Sequence, residues 1–122
     1  LKYTDQVDFR RVVACLVIVQ FRQNGAMTVL SRLFDIFAGL RSTEDRTVPI
    51  DDICLILTTC CPDTKSEVFL WETAQVGLRS KHPENHQYSY EDLKEFLERE
   101  PKMYNTFCAY FDKVKRELLN RN

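Results

Sequence analysis

Val48-Pro49-Ile50-Asp51-Asp52-Ile53 is the stretch that decides the fold, because the chain carries its pattern three times. The other copies are Val7-Asp8-Phe9-Arg10-Arg11-Val12 and Tyr88-Ser89-Tyr90-Glu91-Asp92-Leu93, so the copies begin at residues 7, 48 and 88, 41 and then 40 positions apart. Such a period marks repeated supersecondary units. Two copies share an upstream marker, Gly39-Leu40-Arg41-Ser42 and Gly77-Leu78-Arg79-Ser80. The unit is duplicated.

Around the central copy the apolar period changes. Val29, Leu30, Leu33, Phe34, Phe37 and Leu40 follow the spacing of an amphipathic helix. Ser42 to Thr47 is polar, and Val48, Pro49 and Ile50 read as a short extended step. Asp51 and Asp52 suit a helix's first turn, where carboxylates meet the positive end of its dipole. Ile53, Ile56 and Leu57 continue at helical spacing. The next unit repeats this order: a helix through Val68, Phe69, Trp71, Gln75 and Leu78, a loop from Ser80 to Gln87, extended Tyr88 and Tyr90, then a helix with Leu93, Phe96 and Leu97.

Pro62 and Asp63 separate these units, since Pro ends a helix and Asp63 or Thr64 can cap the next. The expected organisation is one domain over 1–122: half a unit at 1–24, full units at 26–61 and 64–98, and a closing helix at 101–119. In the half unit, Val7 and Phe9 supply the extended step and Val12, Leu16, Val19 and Gln20 the helix. Pro101 suits the start of the closing helix. Because the first unit is only a half, we expect the chain to be part of a larger protein.

Composition narrows the function. The 122 residues suffice for one compact core. Lys plus Arg is 17 and Asp plus Glu is 18, a balance that gives no basic surplus for nucleic acid. The longest apolar run, Val12 to Val19, is about eight residues against the roughly 18 to 20 that a membrane span needs. The opening residues do not read as a signal segment. Five cysteines, Cys15, Cys54, Cys60, Cys61 and Cys108, lie in apolar helical patterns and are odd in number, as expected of reduced thiols in a cytoplasmic protein.

The three signatures resemble the end of the loop in the EF-hand superfamily, a helix, loop and helix that pairs with a second hand through a short β-bridge. The resemblance covers nearly the whole chain. It implies an all-α fold of paired helix-loop-helix units with loop-to-loop bridges and a C-terminal helix. The run from Val7 through Asn24-Gly25 looks like the junction between the second and third hands of a four-handed calcium sensor.

Such a loop supplies oxygen from positions 1, 3, 5, 7 and 9 and a bidentate Glu at 12, with Gly at 6. With Asp52 at position 12, Arg41 falls at 1, Thr43 at 3, Asp45 at 5 and Arg46 at 6. With Asp92 at 12, Lys81 falls at 1, Pro83 at 3, Asn85 at 5 and His86 at 6, and in the half unit Arg11 holds position 12. Cations at these positions repel a metal, and a non-Gly sixth residue resists the required backbone. We therefore expect no ordinary calcium site and no cofactor. Glu44, Asp45, Asp51 and Asp52 are the ligands of the competing reading, a divalent-ion sensor with non-standard ligands. His82 and His86, four apart, fall in a loop, where that spacing brings nothing together. No placed nucleophile and base suggest an enzyme.

What remains is protein interaction. Paired units enclose a hydrophobic groove in which a partner's amphipathic helix can lie. The candidate lining is Phe34, Phe37, Ile53, Leu57, Phe69, Trp71, Phe96 and Leu97. Tyr104, Phe107, Tyr110 and Phe111 of the closing helix either fill that groove or form a second contact face. The expected role is a calcium-independent interaction or scaffolding module.

Overall fold

A computed structural model of the protein describes residues 9–41 and 45–120. Its elements, in chain order, are α1 (Phe9–Gln20), α2 (Ala26–Arg41), β1 (Val48–Pro49), α3 (Ile50–Thr58), α4 (Thr64–Lys81), β2 (Gln87–Tyr88), α5 (Tyr90–Arg99) and α6 (Pro101–Asn120). The fold is all-α apart from this one short pair of strands among the described residues. β1 and β2 run antiparallel, with Val48 opposite Tyr88 and Pro49 opposite Gln87. The bridge thus joins the first residues of the two later signatures.

The extended step is shorter than the pattern suggested. Ile50 and Tyr90 are each the first residue of a helix and Phe9 is helical; Val7 lies outside the described residues. Capping is the reason at Tyr90. The Ser89 hydroxyl accepts from the Asp92 N–H at 3.2 Å while the Asp92 carboxylate accepts from the Ser89 N–H at 3.0 Å, a reciprocal cap that starts the helix one residue later. α4 also runs further than expected, through Lys81, and the His82 N–H donates to Leu78 O at its end. At its start Asp63 is the cap, accepting from the Ser66 N–H at 2.8 Å. α6 begins at Pro101, whose missing N–H would have had no helical partner there.

The core is one cluster to which all six helices contribute. α3 is its centre, with every residue from Asp52 to Thr58 buried. α2 adds Leu30, Leu33, Phe34 and Phe37, and Phe34 meets Tyr90 edge-on at 5.7 Å, tying one unit's incoming helix to the other's outgoing one. α6 packs on α5 and α2, burying Met103, Phe107 and Phe111. Lys115 Nζ donates to Asn24 O at 3.1 Å and so pins α6 to the turn between α1 and α2.

Gly77 sets the approach of α4 to α5. A Cβ there would overlap the Phe96 ring, coming within 2.7 Å of its Cδ1. Gly39, at the same place in the earlier marker, has nothing within 4 Å of where its Cβ would be. Opposite outcomes are expected for one substitution. Gly77→Ala should lose about 1 to 3 kcal/mol through overpacking, whereas Gly39→Ala should gain roughly 0.5 to 1 kcal/mol from helix propensity. Urea denaturation of both variants checks this, and a Gly77→Ala variant as stable as the parent would contradict the close approach.

Candidate functional site

Asp52 is the third residue of α3, and that helix's burial takes its carboxylate out of water, leaving the residue 1% exposed. A lone buried carboxylate would be costly. Three hydrogen bonds from two guanidiniums offset that cost. Arg41, the last residue of α2, donates from Nε to Oδ2 at 2.9 Å and from Nη2 to Oδ1 at 2.8 Å. Arg10 of α1 donates from Nη1 to Oδ1 at 2.8 Å. The planar fork of Arg41 matches the carboxylate face-on, the geometry in which Arg is strongest. The Asp52 hydrogen bond holds the Arg41 guanidinium above its usual pKa, so it stays charged.

Asp52 is the residue expected at the metal-clasping end of the loop, and Arg41 stands at the loop's opening position. The guanidinium fork therefore uses the two oxygens a bidentate cation would need. Among the other weak metal candidates, Asp45 is exposed and its Oδ1 accepts from Thr47 Oγ1 at 3.2 Å, Asp51 is exposed, and Glu44 lies outside the described residues. No group of three or more His, Cys, Asp or Glu among the described residues is placed to hold a metal. Arg46 corrects one expectation. It adopts φ 53°, the left-handed bend that Gly was expected to supply, and its Nη2 reaches Asp35 Oδ1 at 3.0 Å.

The later unit makes a weaker version of the same contact. His82 follows α4, and its Nε2 lies 3.4 Å from Asp92 Oδ1 and 3.8 Å from Glu95 Oε1. Its ring stands edge-on to Tyr88 at 6.4 Å. His86 is exposed in the loop before β2, as its position between Pro83 and Tyr88 suggested.

Of the eight residues expected to line a groove, six are interior. Phe34, Phe37, Ile53, Leu57, Phe96 and Leu97 are all buried in the core, because the helices close on one another and α6 covers α2 and α5. Only Phe69, exposed, and Trp71, half-buried, reach the surface. In α6, Phe107 and Phe111 stack at 6.4 Å inside, while Tyr104 and Tyr110 are half-buried at its edge. The outward face of α4 also carries two exposed apolar residues, Val68, already part of the helical pattern, and Val76, which that pattern did not include. An open cleft of about 460 Å³ runs beside them between α4 and the α5–α6 turn, lined by Phe69, Glu72, Thr73, Val76, Gly77, Ser80, Arg99 and Glu100. A signal was available: Phe69 and Val76 are seven apart on one helix face.

Three of the cysteines, Cys54, Cys60 and Cys61, are held as thiols by burial. All five are free; Cys60 and Cys61 sit in the turn after α3, and Cys15 faces outward on α1, not within the apolar interior. Burial pushes the Cys54 and Cys60 thiols up to about 12 and that of Cys61 to about 11. Comparison with protein families, characterised proteins and solved structures gives no match.

Two outcomes are expected. Removing both Asp52 partners (Arg10→Ala with Arg41→Ala) should cost about 3 to 5 kcal/mol by stranding a buried charge, and Arg41→Ala alone about 2 kcal/mol. Chemical denaturation measures both, and a double variant within 0.5 kcal/mol of the parent, roughly the size of a neutral surface change, would contradict the cluster. The second concerns pH. Thiols raised from 9.0 to about 12 bind protons more tightly when folded. Their stabilisation is complete below pH 9 and is lost as pH climbs from 9 toward 12. The fall in urea midpoint between those pH values should shrink in the Cys54→Ala, Cys60→Ala variant.

Proposed function

We propose that the chain is a calcium-independent, EF-hand-like interaction module that receives an amphipathic helix of a partner protein in the cleft beside α4. The Asp52 cluster carries the first half of this reading: the carboxylate that would clasp calcium is already clasped by Arg41 and Arg10. The helix, loop, strand and helix order occurring twice, with an antiparallel bridge between Val48 and Tyr88, supports the EF-hand-like pairing. With no metal to open it, the module's binding surface is a permanent one.

The cleft beside α4 supports the second half. Phe69 and Val76 give it an apolar floor, and Glu72 and Glu100 stand on its rim with no ion-pair partner among the described residues. A basic amphipathic helix matches both features, with apolar anchors one to two turns apart. Under this reading the module scaffolds rather than catalyses, and its free thiols suit a reducing cytoplasm. No helix among the described residues is long and apolar enough to cross a membrane. The divalent-sensor alternative would require calcium to displace two guanidiniums from Asp52.

Calorimetric titration with millimolar calcium is expected to give no heat and no change in melting temperature; saturable heat would sink the calcium-independent reading. Affinity capture should then compare the chain with Phe69→Asp. Because Phe69 is exposed, the variant should keep its melting temperature and lose the partner. Equal capture by both would remove the α4 cleft from consideration.

A further inference from the structure

We propose that the hollow beside the strand bridge is an anion site, which takes a phosphate monoester carried on an aromatic stem. It lies where the last turn of α4, the loop at 82–86 and the first residue of α3 meet, and its volume is about 270 Å³. Arg79, Asn85 and His86 form its polar side, and Ile50, Pro83 and Tyr88 its apolar side. No carboxylate lines it.

The duplication shows what Arg79 lacks. The shared marker, Gly39-Leu40-Arg41-Ser42 and Gly77-Leu78-Arg79-Ser80, sets Arg79 in the place of Arg41, whose fork is filled by Asp52. The later loop is two residues longer: Gly39 precedes Val48 by 9 positions (48 − 39), and Gly77 precedes Tyr88 by 11 (88 − 77). α4 uses that length to run on through Lys81, so the residue that approaches Asp92 is His82 and not the marker arginine. The other oxygen of Asp92 accepts from the Ser89 N–H at 3.0 Å. Arg79 keeps the same fork with no acid in it. It is exposed, and it makes no hydrogen bond or ion pair with a described residue.

The donor set states what the hollow takes. The planar guanidinium matches two oxygens of a phosphate. The Asn85 carboxamide and the His86 imidazole each have an N–H to give, and neither side chain is bonded to another described residue. A carboxylate offers two oxygens and one charge, which a single fork can absorb. A phosphate monoester offers three oxygens and about −1.5 to −2 charges, which suits three separate donors. The loop backbone is held on itself, with the Asn85 N–H donating to His82 O at 3.1 Å and the Tyr88 hydroxyl donating to Asn85 O at 3.4 Å. Burial holds the Tyr88 phenol above its usual pKa, so it brings no negative charge to the site. The ester's stem then has the Tyr88 ring, Ile50 and Pro83 to rest on. The volume falls below the roughly 300 to 1,000 Å³ of sites for drug-sized ligands, so it suits a phosphoryl group with a short stem.

The test titrates phenyl phosphate into the full 122-residue chain at a fixed ionic strength of about 0.15 M, read by backbone amide NMR. Saturable shifts centred on Arg79, Asn85 and His86 are expected. Arg79→Gln should keep the melting temperature, because the side chain is exposed, and should weaken binding about tenfold or more. His86→Ala, a second exposed lining residue, should weaken it about threefold or more. Lys81→Gln, exposed and outside the hollow, should change it less than about twofold. Inorganic phosphate and benzoate should both bind more weakly than phenyl phosphate, the first for want of a stem and the second for want of oxygens. A short phosphotyrosine peptide that binds more tightly than phenyl phosphate marks a modified side chain as the source, and equal binding marks a free ester; either supports the site. Absence of saturable shifts overturns the proposal. So does a loss with Lys81→Gln as large as that with Arg79→Gln, which is diffuse charge attraction, or benzoate or inorganic phosphate binding as well as phenyl phosphate.

Discussion

One buried carboxylate organises this molecule. Asp52 sits in the first turn of α3, and its two guanidinium partners come from α1 and α2. Three helices therefore meet at one charge. An ion pair in such a place is not a large source of stability, because desolvation consumes most of the Coulombic gain. Its effect is on geometry. Arg41 can satisfy both carboxylate oxygens only if α2 ends where it does, and Arg10 can reach only if α1 lies across the start of α3.

The strand bridge and the aromatic contacts extend that arrangement to the second unit. Val48 and Tyr88 are both buried while Gln87 is exposed, so the short ladder borders the core. Phe34 against Tyr90 and the α6 stripe then link α2 to the far helices. The two units differ in tightness at their loop ends. A bidentate arginine at 2.8 to 2.9 Å closes one, whereas a histidine at 3.4 Å approaches the other. The larger apolar residues left exposed lie chiefly on α1 and α4, with Leu40 of α2 and Leu119 of α6 beside them.

Much of the architecture was legible in the residues. Period separates helix from loop, Pro101 and Asp63 mark helix starts, and the repeated Val48 and Tyr88 foretell the bridge. Three things were not legible, for a common reason. Phe37, Leu57 and Phe96 look the same in sequence whether they line an open groove or a closed core, since periodicity gives the apolar face and not its neighbour. Phe9 reads as extended from its signature, yet it is helical. Arg10 lies 42 residues from Asp52, and no local pattern announces such a pair. Of the candidate site, Arg41 was named at the loop's opening but its pairing with Asp52 was not foreseen, while Val76 drew no notice beside more aromatic neighbours.

The packing of α3 on α4 has a consequence for how the chain assembles. Residues 59–63 alone connect these two helices, and the bridge partners stand at either end of the hairpin they form, 40 positions apart in sequence. Closing a flexible loop of that length costs conformational entropy that grows with the logarithm of its size. Once the hairpin exists, only residues 82–86 remain between α4 and β2. Shortening the effective loop from 40 residues to five lowers the closure cost by about 2 kcal/mol. A pairing that is remote along the chain thereby becomes nearly local, and the ladder at Val48 and Tyr88 can close as a late, low-cost step.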